Sequence, residues 1–231
     1  MPAGRQAGGN TESVDNYLKA ILSLGGPDGQ RVMSKSLADR LGVAPASVTN
    51  MLQKLAGGSS PLVEYERHHG VVLSAAGKRR ALEVVRHHRL IETFLYEVLD
   101  YPLDEVHEEA ERLEHFISER FEERIAAKLG HPTIDPHGHW IPTMEGDMPK
   151  QSSILLSDVV EQNTFVVDSV SDRNARALRN LEANGITPGA RLRVRRGATG
   201  EGYAVNVIGS EEVFNLSQDD ARDIRIVPFT E

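Results

Sequence analysis

Apolar positions recur along the chain with a period that changes from block to block, and the period limits what each block can form. Val14, Tyr17, Leu18, Ile21 and Leu22 repeat every three or four residues, which predicts an amphipathic helix over about residues 11–24. Gly25-Gly26-Pro27-Asp28-Gly29 ends it. Two short helices are predicted within residues 34–55. Ser34 is placed to cap the first, which bears Leu37, Ala38 and Leu41; Gly42 supplies a positive-φ stop, and Pro45 suits the first turn of the second. After Gly57-Gly58-Ser59-Ser60-Pro61, two strand-like stretches at residues 62–65 and 71–73 predict a β-hairpin.

Helical periodicity returns over residues 75–99 and again over 104–128, with Pro102-Leu103 between them and Gly130-His131-Pro132 closing the second. Residues 131–150 are rich in Pro, Gly and His and read as a structured loop or linker. Beyond them the pattern becomes β-prone, at residues 164–170, 191–195, 203–207 and 213–216. A helix over 174–184 and a turn at Pro188-Gly189 complete the composition of a small, partly open barrel. The fold class expected is α+β, mainly α.

Composition narrows the chemistry. The 231 residues include no cysteine, so disulfides, thiolate zinc sites and thiol catalysis are excluded, and a reducing cytoplasm is the natural location. A metal site here must use His, Asp, Glu or Asn. No apolar run reaches the ~20 residues of a membrane span, so no membrane is expected among the partners. The opening MPAGRQAGGN lacks the apolar stretch of a secretory signal and reads as a disordered tail.

The net charge of −8 is unevenly spread: residues 31–90 carry ten Lys and Arg against four acids, a net of +6, whereas 91–125 carry twelve acids against three arginines, a net of −9. A basic module abuts an acidic one.

Within the basic module, SKSLADRLGVAPASVTNMLQKL has the form of a helix-turn-helix, with Leu37, Leu41, Val43, Val48 and Met51 expected between the helices and the small Ala38 allowing close approach. The second helix then offers Ala44, Ala46, Ser47, Thr49, Asn50 and Gln53 to base edges of double-stranded DNA. Asn50 and Gln53 suit adenine, the alanines suit thymine methyls, and Lys54 suits a phosphate. The hairpin makes a wing whose tip carries Arg67, His68 and His69.

Within the acidic module, His107, Glu111, Glu114 and His115 are spaced to converge on one helix face, and His88 and Glu92 form an i, i+4 pair on the preceding helix. A pocket of imidazoles and carboxylates between two such helices suits Mn(II) or Fe(II). So many convergent acids repel one another unless a cation or solvent compensates.

With these residues in view, residues 11–145 resemble the DtxR/MntR family of metal-dependent repressors, above all in His88-Arg89-Leu90-Ile91-Glu92 and in the run from His107 to His115. Residues 150–231, with LSD at 156–158 and GITPGARLRV at 185–194, resemble the FeoA-like, Src-homology-like β-barrel appended to many members. The resemblance implies a tail (1–10), a winged helix-turn-helix domain (11–83), a helical metal-binding and dimerisation domain (84–149) and the barrel (150–231). It also implies a homodimer that grips a palindromic operator when metal is bound and represses metal-uptake genes. Metal would clamp the first helix to the dimerisation helices and fix the spacing of the recognition helices.

Iron-type members place Cys or Met where this chain has Glu111, whereas manganese-type members place Glu there, so Mn(II) is expected first and Fe(II) second. The implied primary site is His88, Glu111, Glu114 and His115, completed from the first helix by Asn16, where the family usually has Asp, or by neighbouring Asp15. A second site is implied from Glu92, Asp135-Pro136-His137 and Asp172, where Asp135 stands in the family's cysteine position; His107 joins this or another ancillary site. His131 and His139 are further loop candidates. Glu111-x-x-Glu114-His115 also resembles an inverted zinc-protease motif, but its first ligand is Glu and no substrate cleft is legible, so no enzymatic activity is expected. A regulator that senses something other than a metal is the remaining alternative.

Overall fold

A computed structural model describes residues 9–26, 28–149, 152–197 and 202–229. Residues 1–8 of the expected tail, and Pro27 of the first turn, lie outside the described residues. The chain divides into two compact units. The first comprises residues up to His88 with Glu111–Glu123 and Pro142–Met148; the second comprises Arg89–Ala110, Arg124–Ile141 and the residues from Pro149 onward.

The first unit opens with α1 (Gly9–Gly25), whose Val14, Tyr17, Leu18 and Ile21 are buried as the apolar repeat predicts. Helices α2 (Ser34–Leu41) and α3 (Pro45–Ala56) form the helix-turn-helix. Gly42 closes α2 in the left-handed region at φ 63°, with its N–H bonded to the Ala38 carbonyl, a conformation that costs a residue with a Cβ more than glycine. Leu37, Val48 and Leu52 are fully buried and Ala38 nearly so, while Leu41 and Met51 pack at the margin.

Two local expectations change. Met33, not Ser34, is the N-cap of α2, and it makes no side-chain cap. Val43 is 36% exposed, because the left-handed Gly42 turns the chain outward there and Leu52 fills the core instead. Strands β1 (Val63–Glu66) and β2 (Gly70–Leu73) make the antiparallel wing, joined through a turn in which His68 has φ 69°. Val32 adds a third rung by exchanging two 2.9 Å backbone bonds with Val71.

Helices α4 (Ala75–Leu99), α5 (Val106–Leu113) and α6 (Glu119–Lys128) carry the acidic module. The single helix expected over 104–128 is broken. The backbone turns at residues 114–118, and Ser118 starts a new helix by accepting the Phe121 N–H on its hydroxyl at 3.3 Å and on its carbonyl at 2.8 Å. A Ser at this place offers the backbone an alternative to helix continuation.

Inside the first unit, Glu122 of α6 is gripped by α4: Arg86 Nε donates to it at 2.5 Å and His87 Nε2 lies 3.0 Å away, while Arg86 also donates to the Pro142 carbonyl at 2.7 Å.

The second unit holds a six-stranded antiparallel sheet in the order β3-β8-β4-β5-β6-β7. Its strands are β3 (Ile154–Leu155), β4 (Asn163–Val170), β5 (Arg191–Arg196), β6 (Tyr203–Val207), β7 (Phe214–Leu216) and β8 (Ile224–Pro228). Helices α7 (Ala175–Ala183) and α8 (Gln218–Arg222) accompany it, each with a side-chain N-cap, from Asn174 and Ser217. Leu192, Val194, Val205, Ile224 and Ile226 form a fully buried core, each such side chain stabilising by about 1.5–3 kcal/mol.

Strands β3 and β8, a single 3-10 turn at Leu156–Asp158 and α8 are additions to the sequence expectation. Strand β8 is short and charged at Arg225, and its place is set by pairing with β4, some 55 residues earlier in the chain, so its own pattern was a weak signal.

Burial pushes the Glu122 carboxyl up, but His87 and Arg86 outweigh it and hold the group below its ordinary value. The stability this adds is therefore complete above the ordinary pKa of 4.5 and is lost as pH falls through the lowered folded-state value. Glu122→Gln should cost about 3–5 kcal/mol near neutral pH. Urea unfolding of both proteins at about pH 7 and about pH 3 should show the gap closing in acid; a gap of constant size would contradict it.

Candidate metal centre

In the first unit, α1 brings three polar residues to one side, Asp15, Asn16 and Lys19, one helical turn apart. Opposite them are His88 of α4, Glu111 of α5, and Glu114 and His115 of the turn that follows. Glu114 and His115 lie in the turn directly after α5, and the Glu114 side chain is fully buried.

The donor atoms of His88, Glu111 and Glu114 lie within 4.8 Å of one another. His88 Nδ1 is 2.6 Å from Glu114 Oε2 and 4.0 Å from Glu111 Oε1. His115 Nε2 is 3.3 Å from Glu114 Oε1 and 3.1 Å from Asn16 Oδ1.

Asp15, the alternative first-helix ligand, is turned to Arg80, whose Nε donates to Oδ1 at 2.6 Å, while His115 Nδ1 stands 3.7 Å from Oδ2. Burial pushes the Asp15 carboxyl up, and His115 and Arg80 outweigh it, holding the group below the usual range. Asn16 therefore presents the amide oxygen of α1 to the cluster.

The residue that sequence reasoning missed is Lys19. Its ammonium donates to Glu111 Oε1 at 2.9 Å and to both oxygens of Glu114 at 2.7 and 2.8 Å. The one signal for it was its place three residues after Asn16 on the same helix face. Two converging carboxylates, one of them wholly buried, with imidazole nitrogens around them and a cation drawn between them, fit a hard divalent ion.

The second unit collects a further set. His107 Nδ1 is 3.2 Å from Glu92 Oε1 and 3.3 Å from Asp172 Oδ2. The fully buried His137 places Nδ1 3.6 Å from Glu92 Oε2 and Nε2 3.3 Å from the Leu103 carbonyl. Burial opposes a charge on His137, but the carboxylate of Glu92, and beyond it Asp135 and Asp172, raise its pKa to about 9. Burial likewise pushes Asp172 up, and His107 with His139 and His137 brings it below its ordinary value.

Asp135 serves its own loop: Oδ1 accepts the His137 and His139 N–H groups at 2.9 Å each, and Oδ2 faces Arg89 Nε and His139 Nδ1 at 3.5 Å each. His137 Nδ1 and Asp135 Oδ2 are buried without a hydrogen-bond partner among the described residues, which is costly unless something else satisfies them. His131 lies at the end of α6 with φ 57°, and neither set includes it. Of the six residues singled out by spacing, His107 and Glu92 lie together in this set.

The candidate base-reading residues lie along α3 and its N-terminus: Ala44, Ala46, Ser47, Asn50, Gln53 and Lys54 are exposed, and Thr49 is half-buried with its hydroxyl donating to the Pro45 carbonyl at 3.2 Å. Arg67 is exposed at the wing tip. Among the described residues no helix is long and apolar enough to cross a membrane.

A winged helix-turn-helix whose first helix also lines a buried carboxylate and imidazole cluster defines a metal-dependent DNA-binding transcriptional regulator. The chain belongs to the DtxR/MntR family of such regulators. Residues 10–71 match the iron dependent repressor N-terminal DNA binding domain, 74–143 the iron dependent repressor metal binding and dimerisation domain, and 154–228 the FeoA domain.

A manganese-dependent transcriptional repressor solved in complex with manganese is 36% identical, covering 94% of this chain and 100% of its own, with a TM-score of 0.84. The structure of ScaR with bound Zn2+ is 31% identical over 94% of this chain and 99% of its own, with a TM-score of 0.79. The iron-dependent repressor IdeR of Mycobacterium tuberculosis is 29% identical over 93% of this chain and 96% of its own. These relatives are repressors, not enzymes, which removes the metallohydrolase alternative.

Gly138 seats the His137 loop on β4. At φ 90° it lies where an added Cβ would stand 2.2 Å from the Asp168 carbonyl oxygen, beside the 2.9 Å bond from the Val170 N–H to the His137 carbonyl. Gly138→Ala should destabilise the second unit by at least about 1–3 kcal/mol. Chemical denaturation would reveal this, and an unchanged midpoint would show that the loop is not held as described.

Proposed function

We propose that this protein is a Mn(II)-activated, homodimeric repressor of metal-uptake genes that acts in the cytoplasm on a palindromic operator. The observation that carries the reading is the convergence of His88, Glu111 and Glu114 on one point, with His115 and the Asn16 amide beside it. These five residues would hold the ion. Bound there, a divalent cation supplies the charge that the paired carboxylates require and a common centre for donors from α1, α4, α5 and the turn after α5.

The carboxylate of Glu111 favours a hard ion, so Mn(II) is preferred; Fe(II) is the second reading, supported by the near full-length match to an iron-dependent repressor. Glu92, His107, His137 and Asp172 form an ancillary site in the second unit, with Asp135 and His139 shaping the loop that presents His137.

The chain's own part in the switch runs through α1. Asn16 faces the metal-binding residues, while Tyr17, Leu18 and Ile21 of the same helix are packed into the core shared with α2, α3 and the wing. Drawing Asn16 toward His115 and Glu114 fixes α1, and α1 carries the helix-turn-helix with it. The DNA-competent arrangement is thereby favoured by the difference in metal affinity between arrangements, and by reciprocity DNA tightens metal binding.

On the operator, Ala44, Ala46, Ser47, Thr49, Asn50 and Gln53 would meet base edges, and Lys54 and Arg67 phosphates. Each unit carries exposed apolar residues that a second copy could bury: Leu113, Phe116 and Phe121 in the first, and Tyr96, Val98 and Leu99 in the second.

Fluorescence anisotropy on a labelled operator, with wild type and Glu111→Ala each measured with and without Mn(II), tests the reading. Wild type should gain at least about tenfold in affinity with Mn(II), which is about 1.4 kcal/mol of coupling, and the variant should gain little. Equal affinity in all four conditions would overturn it. A gain with Fe(II) but none with Mn(II) would select the iron reading.

A further inference from the structure

The oxygens a divalent ion needs are already facing a cation that belongs to the chain. Lys19 Nζ takes Glu111 Oε1 at 2.9 Å and both Glu114 oxygens at 2.7 and 2.8 Å, and His88 Nδ1 is 2.6 Å from one of the same Glu114 oxygens. Ion–oxygen bonds to hard divalent cations are roughly 2.0–2.6 Å long. An ammonium and a divalent ion on those shared oxygens would therefore be close neighbours of like charge beside the buried Glu114. They cannot both be held there without mutual loss.

From this we infer that Lys19 is a built-in competitor of the metal: its ammonium occupies the Glu111 and Glu114 carboxylates of the metal-free protein and must leave before the ion binds, so that Lys19 sets the metal concentration at which the regulator responds. The inference rests on the metal-site reading above and adds its regulation.

Three features fit an exchange rather than a fixed structural pair. The Lys19 side chain is 17% exposed and its Glu111 partner 40% exposed, so the pair is open to solvent on one side while Glu114 has no exposure at all. A lysine presents a compact charge on a flexible four-carbon stem, free to swing outward without moving α1. And Asn16, one turn away on the same helix face, already lies beside His115, so α1 keeps a polar contact with the site when Lys19 departs.

The consequence follows from population arithmetic. Only the fraction of molecules with the ammonium swung out is competent to bind, and the apparent dissociation constant is the intrinsic one divided by that fraction. The lysine also neutralises one of two adjacent carboxylates, so it stabilises the metal-free form. Taking it away should weaken that form and strengthen the bound one.

The experiment uses the full chain at one pH. Mn(II) affinity is measured by competition with a fluorescent chelator, and thermal unfolding with and without Mn(II), for wild type, Lys19→Met and Lys19→Gln. Both variants should bind Mn(II) at least about tenfold more tightly than wild type, melt at a lower temperature without metal, and gain more from its addition. Equal or weaker Mn(II) binding by the variants, with wild type binding normally, overturns the competitor role and leaves the metal site standing. No binding of any divalent ion by wild type or variants overturns the metal site itself.

A measurement on wild type alone covers variants that do not fold: acetylation of Lys19 by acetic anhydride, read by mass spectrometry, should rise when Mn(II) is added. A Lys19 that stays protected at saturating metal sinks the proposal.

Discussion

Glu114 is a carboxylate with no solvent exposure, set beside a second carboxylate, and such a pair is held only where positive charge meets it. Everything around it answers to that need. The turn after α5 supplies Glu114 and His115, α4 supplies His88, and α1 supplies Lys19 and the Asn16 amide. Since α1 also carries Tyr17, Leu18 and Ile21 into the core of the helix-turn-helix, the helix that lines the carboxylates is also the one packed against the DNA-reading helix. Sensor and reader are joined through one helix rather than through a long relay.

The second unit solves a similar problem differently. His137 is wholly buried and rich in neighbouring acid, and its pKa is raised to about 9 because Glu92, Asp135 and Asp172 surround it. Its loop is shaped by Asp135, which caps two backbone N–H groups, and is seated on β4 through Gly138. A buried group of this kind is costly unless its neighbours compensate it, and the surrounding carboxylates do so here.

Much of this was open to reading residue by residue. The helix-turn-helix, its Gly42 turn, the wing and the full span of α4 depend on neighbours within one or two helical turns, and local pattern carries them. The break at residues 114–118 did not show, because an acidic, helix-favouring run continues across it and only the capping competition of Ser118 interrupts it. Val43 was misplaced for a related reason: an apolar residue after a left-handed glycine points where the turn sends it, not where the period does. Strand β8 depends on pairing with β4 and carries little signal of its own.

What the sequence by itself determined was the donor chemistry: with no cysteine and with six His and Glu at helical spacing, a hard-ion site of nitrogen and oxygen was already implied, beside a basic module able to meet DNA. What only the tertiary structure decided was the distances within the groups that the resemblance had implied, and the entry of Lys19 among them. Glu111 and Glu114 converge with His88, and His107 stands between Glu92 and Asp172. Lys19 enters across 92 and 95 residues and Asn16 across 99. Spacing along a helix tells which side chains share a face, but which face meets which is settled by packing of the core, and no period in the sequence records it.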